Sequence, residues 1–196
     1  MLGVSVGTVQ LWVESGLLQA WKTAGGHRRV IRDSVERLLR RAPTSVEVPV
    51  PSSPLEQSLS VLVVEDDLSL MRLYDTQIAT WPMAVRVGFC DNGFNALLAL
   101  GRAAPDLLIT DLHMPGIDGF VMLRALQNAP EVAHTRIVVV SGLDLHEIQA
   151  QGGLSDTIEL LGKPVPFDRL RQIGCELASA RQRAGYLASN RRDRQP

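Results

Sequence analysis

From residue 59 onward the chain alternates short β-branched apolar runs with helix-patterned segments, five times over. Val61 to Val64, the alternating Val85, Val87 and Phe89, Leu107 to Thr110, Ile137 to Val140 and Thr157 to Leu161 read as strands. Leu68 to Thr80, Gly93 to Arg102, Phe120 to Gln127 behind an Asp118 cap, Leu143 to Gln149 and Asp168 to Arg183 read as helices. Short apolar runs closed by turn residues fit strands buried on both faces. Five such βα units predict a doubly wound α/β fold: a five-stranded parallel sheet, right-handed crossovers, and helices on both sides.

In a sheet of this kind the strand exits share one edge, and ligands bind there. The first strand exits into Glu65-Asp66-Asp67, the third into Asp111, the fourth into Ser141-Gly142 and the fifth into Gly162-Lys163-Pro164. Asp111 lies within DLLITDLHMPGIDG, residues 106–119, where an apolar run stops at a charge and Pro and Gly follow. A carboxylate opening an ordinary turn is the competing reading of Asp111 taken alone. Lys163 alone reads more often as a solvated charge, and Ser141 alone more often as a helix cap. Together they converge. Clustered carboxylates repel, and a divalent cation relieves the repulsion. Oxygen ligands with few protein carboxylates suit Mg²⁺, which retains waters and accepts phosphate oxygens. With cation and lysine neutralising its surroundings, one carboxylate can attack phosphorus and form an aspartyl phosphate.

Residues 1–41 read as a helix from a Ser5 cap to a Gly16 stop, a hairpin about Ala24-Gly25-Gly26, and a second helix capped by Asp33 or Ser34. Val9, Trp12 and Val13 share one helical face, and Lys22, His27, Arg28 and Arg29 crowd the hairpin. A protruding basic hairpin suits phosphate contacts; a solvated turn is the bland alternative. Residues 42–58, with four Pro and four Ser, read as a semi-rigid linker reaching roughly 50 Å at most at ~3 Å per residue.

Charge follows these divisions. Residues 1–45 carry seven Lys/Arg against three Asp/Glu, residues 60–180 eight against fifteen, and residues 181–196 five against one. A basic head on an acidic body suits a polyanion partner for the head and a cation site in the body; two solvated surfaces of opposite sign are the bland alternative. Cys90 and Cys175 show neither disulfide nor metal spacing and read as small core residues. The sequence has no apolar run long enough for a membrane span and no signal-peptide pattern, so a cytoplasmic protein without membrane partners is expected.

Over about 120 residues VVEDD, DLHMPGIDG, VVVSG and LLGKP occur in order, and this part of the chain resembles the flavodoxin-like receiver domain of two-component response regulators. The resemblance implies Asp111 as phosphoacceptor. It implies Mg²⁺ held by Glu65 (through water), Asp66, Asp111 and the backbone carbonyl of His113. Lys163 and Ser141 would contact the phosphoryl group, and the Lys163-Pro164 peptide would be cis. It further implies a sensor histidine kinase or phosphotransfer protein as donor, and a homodimer through the face of residues 143–180 as one form of self-association. The family's switch aromatic, three residues before the lysine, is Leu160 here. Hydrolases that form aspartyl phosphates usually carry a second Asp two residues after the nucleophile. His113 stands there, so the chain is read as no enzyme.

GVSVGTVQLWVESGLLQAWKTAGGHRRV resembles the winged helix-turn-helix of MerR and excisionase proteins. By that resemblance the chain binds DNA, the helix from Ser5 entering the major groove with Thr8 and Gln10 near the bases, and Lys22, His27, Arg28 and Arg29 gripping the backbone. The family braces this helix with an earlier one, which is missing before Met1, and the native product is expected to be longer. The expected layout is a head at 1–41, the linker at 42–58, the receiver at 59–183 and a basic tail at 184–196. The expected function is phosphorelay control of DNA binding; the alternative is a signalling adaptor that binds a partner protein without reading DNA.

Overall fold

The computed structural model describes residues 9, 12–13, 18–22, 28–41, 58–114, 119–127 and 129–192. Near the N-terminus, β1 (Ala20–Lys22) pairs antiparallel with β2 (Arg28–Val30), and α1 (Arg32–Arg41) follows. The larger sheet is built from β3 (Leu59–Val64), β4 (Val85–Cys90), β5 (Leu107–Thr110), β6 (Arg136–Ser141) and β7 (Glu159–Gly162). Its order is β4-β3-β5-β6-β7 and every pairing is parallel. The connecting helices are α2 (Leu68–Ile78), α3 (Gly93–Arg102), α4 (Gly119–Gln127), α5 (Leu145–Ala150) and α6 (Phe167–Arg192). The five-stranded doubly wound sheet is thus as expected.

Strand alternation divides the core. Leu59, Val61, Val63, Leu107, Ile109, Val138 and Val140 pack with Tyr74, Ile78, Leu170 and Ile173 from α2 and α6. Leu62, Val64, Leu108 and Val139 pack on the other face with Leu97, Leu100, Met122, Leu123 and Ile148 from α3, α4 and α5. Both faces are covered, so the strands read as continuous apolar runs.

The strand order reverses direction at β3, whose neighbours are β4 and β5. Val64 lies beside Thr110, and Ser141 beside Gly162, so the residues that follow them emerge on one edge. Gly119 brings α4 close beneath that edge. A Cβ there would stand 2.7 Å from Leu112 Cα and 2.8 Å from the Asp111 carbonyl oxygen, so only glycine fits.

Several expected boundaries move. Neither Asp33 nor Ser34 caps α1, which begins at Arg32. The Ser34 hydroxyl is buried, donating to the Ile31 carbonyl and accepting from Gln19 N–H. The helix expected from Leu143 begins at Leu145, because Asp144 and Glu147 form a reciprocal capping box. The last strand starts at Glu159, after a turn in which the Ser155 and Thr157 hydroxyls bond each other. The final helix does not stop at Arg183 but continues to Arg192, through residues that include no proline. Ser58, assigned to the linker, is buried and its hydroxyl accepts from Arg86. The Ser5, Gly16 and Asp118 helix ends and residues 42–57 lie outside the described residues.

Candidate functional site

Glu65 leaves β3 and Asp111 leaves β5 on adjacent strands, and Lys163 follows β7 on the same edge. The Lys163 ammonium lies 2.7 Å from Asp111 Oδ2 and 3.0 Å from Glu65 Oε2. Asp111 Oδ1 accepts from the Leu112 and His113 N–H groups at 2.6 and 3.1 Å. Asp111 is therefore held from two sides, one oxygen by main chain and the other by lysine. Glu65 Oε1 accepts from Asp67 N–H at 3.3 Å.

Asp66 completes the cluster: carboxylate oxygens of Glu65, Asp66 and Asp111 all lie within 4.8 Å of one another. Glu65 and Asp111 are buried and Asp66 is exposed, which leaves the group open to solvent on one side. Three carboxylates against one ammonium leave an excess of two negative charges, the charge a divalent cation carries. All of the donors are oxygens, as Mg²⁺ prefers. The residues therefore fit that ion. Burial raises the Glu65 carboxyl above the ordinary range, only partly offset by the hydrogen bond from Lys163. Burial pulls the Lys163 ammonium down, but its bonds to Asp111 and Glu65 more than offset this and its pKa is raised.

The remaining residues of the edge take distinct positions. Asp67 is a helix cap: its carboxylate accepts from Leu70 and Ser69 N–H, which hold it below the ordinary range. Ser141 is buried at the end of β6, its Oγ accepting from Leu143 N–H. The His113 side chain is exposed. Leu160 is half-buried against the α3–α5 side of the sheet. The Lys163-Pro164 peptide is cis.

At the N-terminal hairpin Lys22 and Arg28 are cross-strand partners, as are Trp21 and Arg29. Lys22 and Arg29 are exposed, and Trp21 is 53% exposed. Ser5, Thr8, Gln10 and His27 lie outside the described residues. The sequence reading missed two features. The main-chain donors to Asp111 carry no residue-type signal. The other is Trp12, which is buried and donates its indole N–H to the Leu97 carbonyl at 3.3 Å. The apolar circumference of GFNALLAL in α3 was the available signal for that contact.

Residues 61–173 match the response regulator receiver domain, and residues 1–43 match a helix-turn-helix domain. A protein-glutamate methylesterase/protein-glutamine glutaminase of Myxococcus xanthus is 35% identical over 134 residues, covering 66% of this chain and 38% of the relative. The response regulator PleD of Caulobacter vibrioides is 31% identical over 120 residues, covering 59% of this chain and 26% of the relative. The chain thus spans well under half the length of either. Among solved structures, the receiver domain of a Francisella response regulator superposes with a TM-score of 0.52 at 25% identity, covering 63% of this chain and 98% of that one. The receiver domain of a Pseudomonas aeruginosa sensor histidine kinase, described with a magnesium ion in its active-site cleft, gives 0.54 at 19% identity, covering 62% and 98%. This last likeness concerns the fold alone.

Proposed function

The chain belongs to the response regulator receiver family, to which residues 61–173 match, and from that premise we propose that it is a phosphorelay response regulator whose Asp111 accepts a phosphoryl group and whose helix-turn-helix head answers by changing its hold on DNA. The observation that carries this reading is the bridging of Asp111 and Glu65 by Lys163, with Asp66 beside them. Glu65, Asp66, Asp111 and the His113 carbonyl would hold Mg²⁺, which when bound offsets the negative charge of the carboxylates and of the incoming phosphoryl oxygens.

The chain's own residues do the rest. Leu112 and His113 N–H groups fix the Asp111 carboxylate in orientation. Its Oδ2 lone pair forms the new O–P bond as the donor's bond to phosphorus breaks, and that electron pair leaves with the donor. The product is a mixed anhydride on Asp111. Lys163 exchanges its contact with the carboxylate for one with a phosphoryl oxygen, and Ser141 donates its hydroxyl to another. A sensor histidine kinase or phosphotransfer protein is the donor, and the 143–180 face offers a route to dimers. Exposed Lys22 and Arg29, with the helix-turn-helix match over residues 1–43, support DNA as the head's ligand. The working layout is the head at 1–41, the linker from 42, the receiver body after it, and a basic end inside α6.

A band-shift of the full chain against a pool of duplex DNA at low salt tests the reading. The comparison is Mg²⁺ alone against Mg²⁺ with beryllium fluoride, a phosphoryl mimic. A retained band whose intensity changes with the mimic is expected. No band in either condition would replace the DNA reading with that of an adaptor binding a partner protein.

A further inference from the structure

A helix layered on a sheet needs one apolar stripe, facing the strands. In α3 that stripe is Gly93, Ala96, Leu97 and Leu100, at helical spacing and all buried. Yet Asn95, Leu98 and Ala99, off that stripe, are buried too. A helix apolar around its circumference is covered on more than one side. The second cover includes the N-terminal unit. Trp12 is 2% exposed and donates its indole N–H to the Leu97 carbonyl. Trp12 and Leu18 belong to the same contiguous apolar cluster as Leu97, Leu98 and the sheet residues Leu62 and Leu108. Val9, Val13, Val30 and Val35 pack against that cluster. The core of the small unit and one face of the larger one are therefore continuous.

We propose that the outer side of α3 is a docking surface for the chain's own N-terminal helix, anchored by Trp12 on the Leu97 carbonyl, so that the helix-turn-helix unit rides on the receiver as one packed body. Gly101 follows Leu97 in the same helix. It is the residue four positions after Leu97, and helical side chains lean toward the N-terminus, over the preceding turn. A long side chain at 101 would lean over the carbonyl that Trp12 uses. The inference is independent of the chemistry at Asp111, and each can fail without the other.

The test is NMR on the unphosphorylated full chain. The three indole N–H signals of Trp12, Trp21 and Trp81 are assigned by single Trp→Phe substitutions, and their solvent exchange is measured. The Trp12 proton is expected to exchange roughly ten-fold or more slowly than that of the half-exposed Trp21. It should also show an Overhauser contact to protons of Leu97–Gly101. In Gly101→Gln the Trp12 signal should shift and its exchange rise to the Trp21 rate. Trp81 lies in the other core cluster, against Gly174, and should stay in place as a reporter of the intact receiver. Exchange of Trp12 at the Trp21 rate in the unaltered chain, absence of the Overhauser contact, or protection that persists in Gly101→Gln with Trp81 unmoved would each overturn the docking.

Discussion

Replacing Lys163 by Met removes the ammonium that stands between two buried carboxylates. At an effective dielectric of about 20, a unit charge at these N···O distances gains roughly 5–6 kcal/mol from each partner, before the cost of taking all three groups out of water. Cutting one partner from a buried pair costs about 3–5 kcal/mol net. Because the Lys163 side chain is 28% exposed, the low end, about 3 kcal/mol, is the expected loss. That is a large part of a typical domain's stability, roughly 5–15 kcal/mol. Urea unfolding in EDTA, followed by tryptophan fluorescence, should show the midpoint falling by about 1.5 M for a slope of about 2 kcal/mol per molar. The pH dependence has a definite sign. Burial already raises the Glu65 carboxyl, so its charged form disfavours the fold, and stability is recovered as pH falls through the raised native pKa. Without the lysine that pKa rises further. The loss in Lys163→Met is therefore largest at neutral pH and above and shrinks on acidification. Added Mg²⁺ should stabilise the variant more than the wild type. A midpoint equal to wild type in EDTA, or a loss that does not change with pH, would refute the picture of two carboxylates held against their repulsion by this lysine.

Gly119→Ala should destabilise by about 2 kcal/mol although alanine is the better helix former, because the new Cβ meets the backbone of Asp111 and Leu112, which cannot yield; thermal unfolding reads this. Glu159 accepts from Arg169 Nε at 2.7 Å and Arg136 Nη2 at 2.8 Å, and these bonds, that of Arg169 first, hold its carboxyl below the ordinary range. Glu159→Gln should therefore cost about 1 kcal/mol at neutral pH. The gap between variant and wild type should narrow as pH falls below the ordinary glutamate value of about 4.3, closing once it passes the lowered native pKa, in denaturant titrations at a series of pH values. Cys90 is buried and its thiol is pushed up to about 12, so iodoacetamide should leave it unlabelled in the native protein and label it after unfolding, as peptide mass spectrometry would show.

The parallel sheet was legible because buried strands and their exits announce themselves. Leu107 to Thr110 and Gly93 to Arg102 have the bounds that their patterns imply, the second because Asn92 caps it. Glu65, Asp111 and Lys163 were legible for the same reason, since their positions after strands place them on one edge. The reading failed where a side chain answers to something distant or competing. Ser34 resembles a cap but is tied to Gln19, just before β1. Leu143 extends an apolar pattern that the Asp144–Glu147 box overrides. The spacing of Val9, Trp12 and Val13 marks a face without saying what covers it, and α3 supplies cover for it across 85 residues of sequence. The N–H groups that orient Asp111 were invisible, since nearly every residue type carries them.

The central claim is that Asp111 itself takes the phosphoryl group. The full chain is incubated with Mg²⁺ and acetyl phosphate, the acyl phosphate is trapped by borohydride reduction, and peptides are mapped by mass spectrometry. The mark should fall on the peptide at Asp111 and nowhere else, and should vanish both in EDTA and in Asp111→Ala. A mark on Glu65 or Asp66, or one that survives in Asp111→Ala, would contradict the account.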